Sequence, residues 1–95
     1  MKPTAVFVNT SRGGLVNQDA LYNALHESRI YSAGLDVTMP EPLPLDSPLF
    51  TLKNCVILPH IGSASIRTRE AMTQIAVANT IQALNGEKMQ YEVAL

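Results

Sequence analysis

The chain has a single cysteine, Cys55, in 95 residues. One thiol can close no disulfide framework and anchor no clustered metal site. It lies inside Cys55-Val56-Ile57-Leu58, which reads as a place for a small buried hydrophobe. Also missing is any run near the ~18 apolar residues that a membrane-spanning helix needs. Positive charge is not in excess either: 7 basic against 8 acidic residues give a formal net charge of -1, too little for a basic nucleic-acid-binding face. No internal repeat and no low-complexity run occurs, which excludes a solenoid. No Gly-x-Gly-x-x-Gly turn stands between a strand and a helix, and Gly13-Gly14 does not supply that phosphate cradle. The start, Met1-Lys2-Pro3-Thr4, lacks the layout of a secretory signal peptide. With the lone thiol, this leads us to expect a reducing cytoplasm. A chain of this length buries a smaller share of its surface than a typical α/β enzyme domain, so a piece of a larger protein is expected.

What is present alternates in type. Ala5-Val6-Phe7-Val8-Asn9 is short and rich in branched and aromatic residues, as in a fully buried strand, and Ser11-Arg12-Gly13-Gly14 follows as a loop. A helix comes next. Asn17 is a good N-cap, Asp19 puts negative charge in the first turn, Leu21, Ala24 and Leu25 form one apolar stripe, and Arg29 complements the dipole at the far end. Ile30 to Val37 reads as a second buried strand, with Gly34 marking close backbone packing. Strand, crossover helix and strand make the parallel unit.

Five of the six prolines stand at 40, 42, 44, 48 and 59. Proline removes a donor and restricts the residue before it, so Met39 to Pro48 is expected to be a stiff, irregular segment. Leu49-Phe50-Thr51-Leu52 packs that segment back on the core, and Cys55 to Leu58 forms a third strand that Pro59 ends. Ser65 caps a long last helix, Ile66 to Leu84, with Asn85-Gly86 as its stop. Its apolar residues include Met72, Ile75, Val77, Ala78 and Ile81, a band broader than one face, which suggests burial between two bodies. The fold class expected is α/β: a partial parallel sheet of about three strands, a crossover helix and a long C-terminal helix. Residues 1–64 form the sheet part, and 65–95 the helix and tail.

Three residues follow the three strands: Arg12, Glu41 and His60. In open α/β sheets, ligands bind just past the strand carboxyl ends. An arginine fork suits a carboxylate, and a His–Glu pair can hold or release a proton near neutral pH. Proton chemistry on a small acid is the combination's meaning. Taken singly, each has a plainer reading, as a solvated turn, a loop charge or a structural histidine. His26, Arg67, Arg69 and Glu70 read as solvated helix residues, and Met39, Met72 and Met89 as packing.

The ordered series Asn9-Thr10-Ser11-Arg12-Gly13, Val16-Asn17-Gln18-Asp19-Ala20-Leu21, Ala33-Gly34-Leu35-Asp36-Val37, Pro40-Glu41-Pro42-Leu43-Pro44 and Leu58-Pro59-His60-Ile61-Gly62-Ser63-Ala64 resembles the carboxy-terminal part of the D-2-hydroxyacid dehydrogenases. Within them it is most similar to the animal glyoxylate/hydroxypyruvate reductases. The resemblance implies a Rossmann-like domain half, 1–64, followed by a helix and tail that return to a separate substrate domain. It implies an NADP or NAD cofactor, with NADPH favoured, and a small 2-keto or 2-hydroxy acid as substrate. It also implies that Arg12 grips the substrate carboxylate and keto oxygen, that His60 is the general acid/base, and that Glu41 holds the imidazole and favours its charged form. By the same resemblance Thr10, Ser11, Asp36 and Gly62 lie by the cofactor, and Ser63 beside the substrate. The parent enzyme is expected to be a cytoplasmic homodimer with no nucleic acid, membrane or metal partner. Lacking the glycine fingerprint, the 95 residues alone are expected to be inactive. A dinucleotide-sensing corepressor, which resembles the same family, or a nonfunctional partial domain is the alternative.

Overall fold

A computed structural model describes residues 1–93. The chain divides into two compact units, Met1–Gly62 and a second that begins at Ser63. In the first, strands β1 (Val6–Asn9), β2 (Ser32–Leu35) and β3 (Cys55–Ile57) form a parallel sheet in the order β1-β2-β3. Helix α1 (Gln18–His26) is the crossover between β1 and β2. The second unit is built on helix α2 (Ile66–Leu84). The expected α/β class, with three parallel strands, a crossover helix and a long last helix, is what the chain adopts.

The helices start and stop for identifiable reasons. The Asn17 side chain accepts from the Ala20 N–H, 2.9 Å, and Ser65 from the Thr68 N–H, 3.2 Å, satisfying donors that a helix N-terminus leaves orphaned. At the end of α1, Ser28 takes a left-handed conformation (φ 56°), and the Ser28 and Arg29 N–H groups return to Leu25 and Ala24. Gly86 (φ 72°) closes α2 in the same way, with Gly86 and Glu87 bonded to Ala83 and Gln82, the Schellman pattern in which glycine costs least. Arg29 thus lies beyond α1 and pairs with Glu27 at 2.9 Å rather than sitting in the last helical turn.

Strand period and register put residues of equal parity on one face. Phe7, Ala33 and Cys55 form one row and Asn9, Leu35 and Ile57 the next. On this face Leu21, Leu25, Ile30, Ala33, Leu35 and Leu49 make the buried core, with Phe7, Leu43, Leu52, Cys55 and Ile57 packed against it. Asn54 ties the layers together by donating to the carbonyls of Leu25 and Tyr31, 3.2 Å each.

The opposite face departs from the expectation of fully buried strands. Val6, Val8 and Val56 are more than half exposed there, because no described residue of this unit covers it. Gly34 belongs to this face, and an added Cβ would meet nothing within 4 Å, so close backbone approach is not its reason. Cys55 is half-buried, not fully enclosed, and that burial raises its thiol pKa. Strand β2 is shorter than expected: it ends at Leu35, while Asp36, Val37 and Thr38 stay buried as irregular backbone.

Candidate active site

Each strand's carboxyl end leads into a loop carrying one of the singled-out side chains. After β1, the buried Asn9 shapes the turn: its Oδ1 accepts from the Ser11 N–H at 3.1 Å and its Nδ2 donates to the Arg12 carbonyl at 3.0 Å. Arg12 itself is exposed and donates from Nη1 to the Ser11 carbonyl, 2.7 Å. Thr10 and Ser11 are exposed beside it.

After β2, the buried carboxylate of Asp36 accepts two backbone N–H groups from the loop after β3. Ile61 donates to Oδ1 at 2.8 Å and Gly62 to Oδ2 at 2.7 Å. Gly62 needs its hydrogen side chain here, since a Cβ would lie 2.8 Å from Asp36 Oδ2. Directly before this clamp, His60 holds a left-handed backbone (φ 56°), a conformation that costs a non-glycine residue energy and persists when neighbours hold it.

Glu41 closes the arrangement. Its Oε1 accepts from the Thr38 N–H at 3.0 Å, and its Oε2 lies 2.9 Å from His60 Nδ1. The hydrogen bond with His60 is the main reason its carboxyl is held below its ordinary pKa. The Thr38 N–H adds to this and partial desolvation opposes it, while the charges of His60 and Arg12 contribute further. With Nδ1 engaged by the carboxylate, Nε2 is the ring nitrogen left for a ligand. Asp36, Glu41, Pro42, Leu58, Pro59 and His60 line a hollow of about 290 Å³, at the small end for ligand sites.

The structure therefore brings Arg12, Asp36, Glu41, His60 and Gly62 together at the carboxyl end of the sheet. Ser63 is half-buried and belongs to the second unit. Reasoning from residues alone passed over Asn9 and Gln18, although a polar residue closing an apolar strand was the available signal for Asn9. Among the described residues no group of three or more His, Cys, Asp or Glu side chains is placed to hold a metal ion, and no helix is long and apolar enough to cross a membrane.

A parallel sheet with a polar, titratable crevice at its carboxyl end defines the class as an α/β domain that takes its ligand at the strand ends. Residues 1–62 match the family model described as D-isomer specific 2-hydroxyacid dehydrogenase, NAD binding domain, and the chain belongs to that family. It is 61% identical to human glyoxylate reductase/hydroxypyruvate reductase over all 95 residues, which cover 29% of the human protein. It is 55% identical over 86 residues to glyoxylate/hydroxypyruvate reductase B of Enterobacter sp. strain 638, covering 90% of this chain and 26% of that one. Among solved structures, the NADPH-dependent glyoxylate/hydroxypyruvate reductase of Sinorhizobium meliloti, in complex with NADP and malonate, superimposes with a TM-score of 0.85 at 37% identity, over 97% of this chain and 28% of that one. The chain thus spans less than a third of the length of these relatives.

Proposed function

We propose that these residues supply the acid–base and carboxylate-binding groups of an NAD(P)-dependent reductase that converts glyoxylate or hydroxypyruvate to the 2-hydroxy acid. The observation that carries this reading is the His60–Glu41 pair, 2.9 Å apart and backed by the Asp36 clamp at the strand ends. Asp36 fits the amide end of a nicotinamide. Each of its oxygens accepts one N–H and keeps a lone pair for a further donor. No glycine fingerprint for the pyrophosphate occurs in the sequence. A bound NAD(P)H supplies the hydride that reaches the keto carbon.

This chain's residues do the rest. Arg12 offers a planar fork to the substrate carboxylate, which lysine cannot copy. His60, charged and anchored through Nδ1, gives the proton on Nε2 to the keto oxygen as the alcohol forms, and takes it back in the reverse direction. Glu41 orients the ring and balances its charge. Thr10, Ser11 and Gly62 would hold the cofactor. The parent enzyme is a cytoplasmic homodimer acting on a small acid, with the helix and tail of 65–95 returning to a substrate domain.

The test replaces the matching portion of the human relative with these 95 residues and follows NADPH and NADH oxidation with hydroxypyruvate and glyoxylate. Turnover by the hybrid is expected, falling by roughly two to four orders of magnitude in His60→Ala, the usual contribution of general acid catalysis. Negligible turnover is expected of the 95 residues alone, since no cradle holds the dinucleotide in place. A folded hybrid without turnover, or a His60→Ala hybrid with near-normal turnover, would reject the reading.

A further inference from the structure

The segment that carries Glu41 has few means of holding itself in place. Pro40, Pro42 and Pro44 have no N–H to donate, and among the described residues no backbone–backbone hydrogen bond outside the helices and strands involves residues 37–43. Yet Glu41 must stand within hydrogen-bond reach of a residue 19 positions away. Beyond the burial of Val37 and the packing of Leu43 against the core, the restraint comes from α1. Gln18, half-buried in its first turn, binds both polar groups of one peptide residue: its Nε2 donates to the Met39 carbonyl, and its Oε1 accepts from the Met39 N–H at 2.8 Å. A primary amide satisfied at both ends fixes the position and the orientation of what it holds. Thr38, next to Met39, gives its own N–H to Glu41 Oε1 at 3.0 Å, while its hydroxyl donates to the Pro40 carbonyl at 2.9 Å.

We propose that Gln18 is a positioning residue for the acid–base pair, holding the Thr38–Met39 backbone from α1 so that Glu41 meets His60. It is not among the residues that line the hollow beside Glu41 and His60. Its effect on turnover rests on the reductase reading; its effect on Glu41 does not.

The test is the carboxyl titration of Glu41, followed by ¹³C NMR in the 95-residue chain. The groups that face this carboxyl are His60 and Arg12, with Asp36 lining the same hollow. Gln18→Met keeps length and loses both hydrogen bonds; Gln18→Asn keeps the amide and is one methylene too short. In both, the Glu41 titration should move up toward the ordinary carboxylate value, while the backbone signals of Val8, Gly34 and Val56 keep their positions and report an intact sheet. In the hybrid enzyme the same variants should lower kcat about tenfold or more, with a smaller change in KM, because a small misplacement of a catalytic group costs rate. Should Gln18→Met fail to fold, Gln18→Asn decides. An unchanged Glu41 titration in either folded variant overturns the proposal. A shifted titration beside an inactive parent hybrid upholds the clamp and removes the reductase reading.

Discussion

The chemistry of the crevice depends on how few groups hold it. His60 keeps a left-handed backbone because Asp36 takes the two N–H groups that follow it and Glu41 takes its ring. Glu41 in turn is an acid with its folded-state pKa lowered, first by the His60 hydrogen bond and then by the Thr38 N–H. A carboxyl depressed by folding stabilises the native state above its unfolded pKa, and that contribution is lost as pH falls through the lower, folded pKa. Wild type and Glu41→Gln should therefore differ in denaturation midpoint at neutral pH and converge below the ordinary glutamate range. Urea titrations of the two across the acid range measure this directly. A gap that stays constant down to the lowest pH would show that the ionised carboxylate contributes nothing to holding the loop.

At the scale of elements, the loops after β1 and β2 touch where a side chain is forbidden. A Cβ on Gly13 would lie 1.9 Å from the Thr38 carbonyl oxygen, whereas one on Gly14 would meet nothing within 4 Å. Gly13→Ala is expected to cost about 1–3 kcal/mol, the usual range for overpacking, and to disturb Glu41 through Thr38. Gly14→Ala should stay within about 0.5 kcal/mol. Denaturant midpoints of the two neighbours give the comparison, and equal effects would show that the loops do not press on one another. The apolar run of β1, the stripe of α1 and the cap and stop of α2 made these elements legible in the sequence, down to Asn17, Ser65 and Gly86 at their ends. Arg12, Glu41 and His60 were legible as residues that follow strands. What was not legible depends on long-range geometry. The Asp36 clamp on Ile61 and Gly62 joins residues 25 and 26 positions apart, and the Gln18 clamp spans 21. Nothing in a local pattern tells that a strand-end aspartate or a first-turn glutamine has found a backbone partner. The bare sheet face escaped the strand pattern for a related reason. Val6 and Val8 look like buried residues in any window, and their exposure depends on what packs over the sheet, which no window records.

The molecule as a whole leaves apolar surface that parallel sheets ordinarily cover. On the face opposite α1, Val6, Val8 and Val56 are 56%, 65% and 62% exposed, and with Tyr31 and Lys53 they border a hollow of about 470 Å³. The outer edges of β1 and β3 are unpaired within the sheet, and open edges invite pairing with another chain. In α2, Met72, Ile75, Val77 and Ile81 are all more than two-fifths exposed. The relatives are more than three times as long, and a hybrid with one of them supplies further chain that covers the face. Changing Val6, Val8 and Val56 to threonine should thus have opposite effects in two contexts. In the 95-residue chain it should reduce concentration-dependent association in sedimentation velocity, since the exposed apolar patch shrinks. In the hybrid with the human relative the same changes should destabilise by about 1–3 kcal/mol per site, because a hydroxyl is then buried against apolar neighbours. A 95-residue chain that stays monomeric at every concentration, or a hybrid indifferent to all three threonines, would show that this face needs no cover in either state.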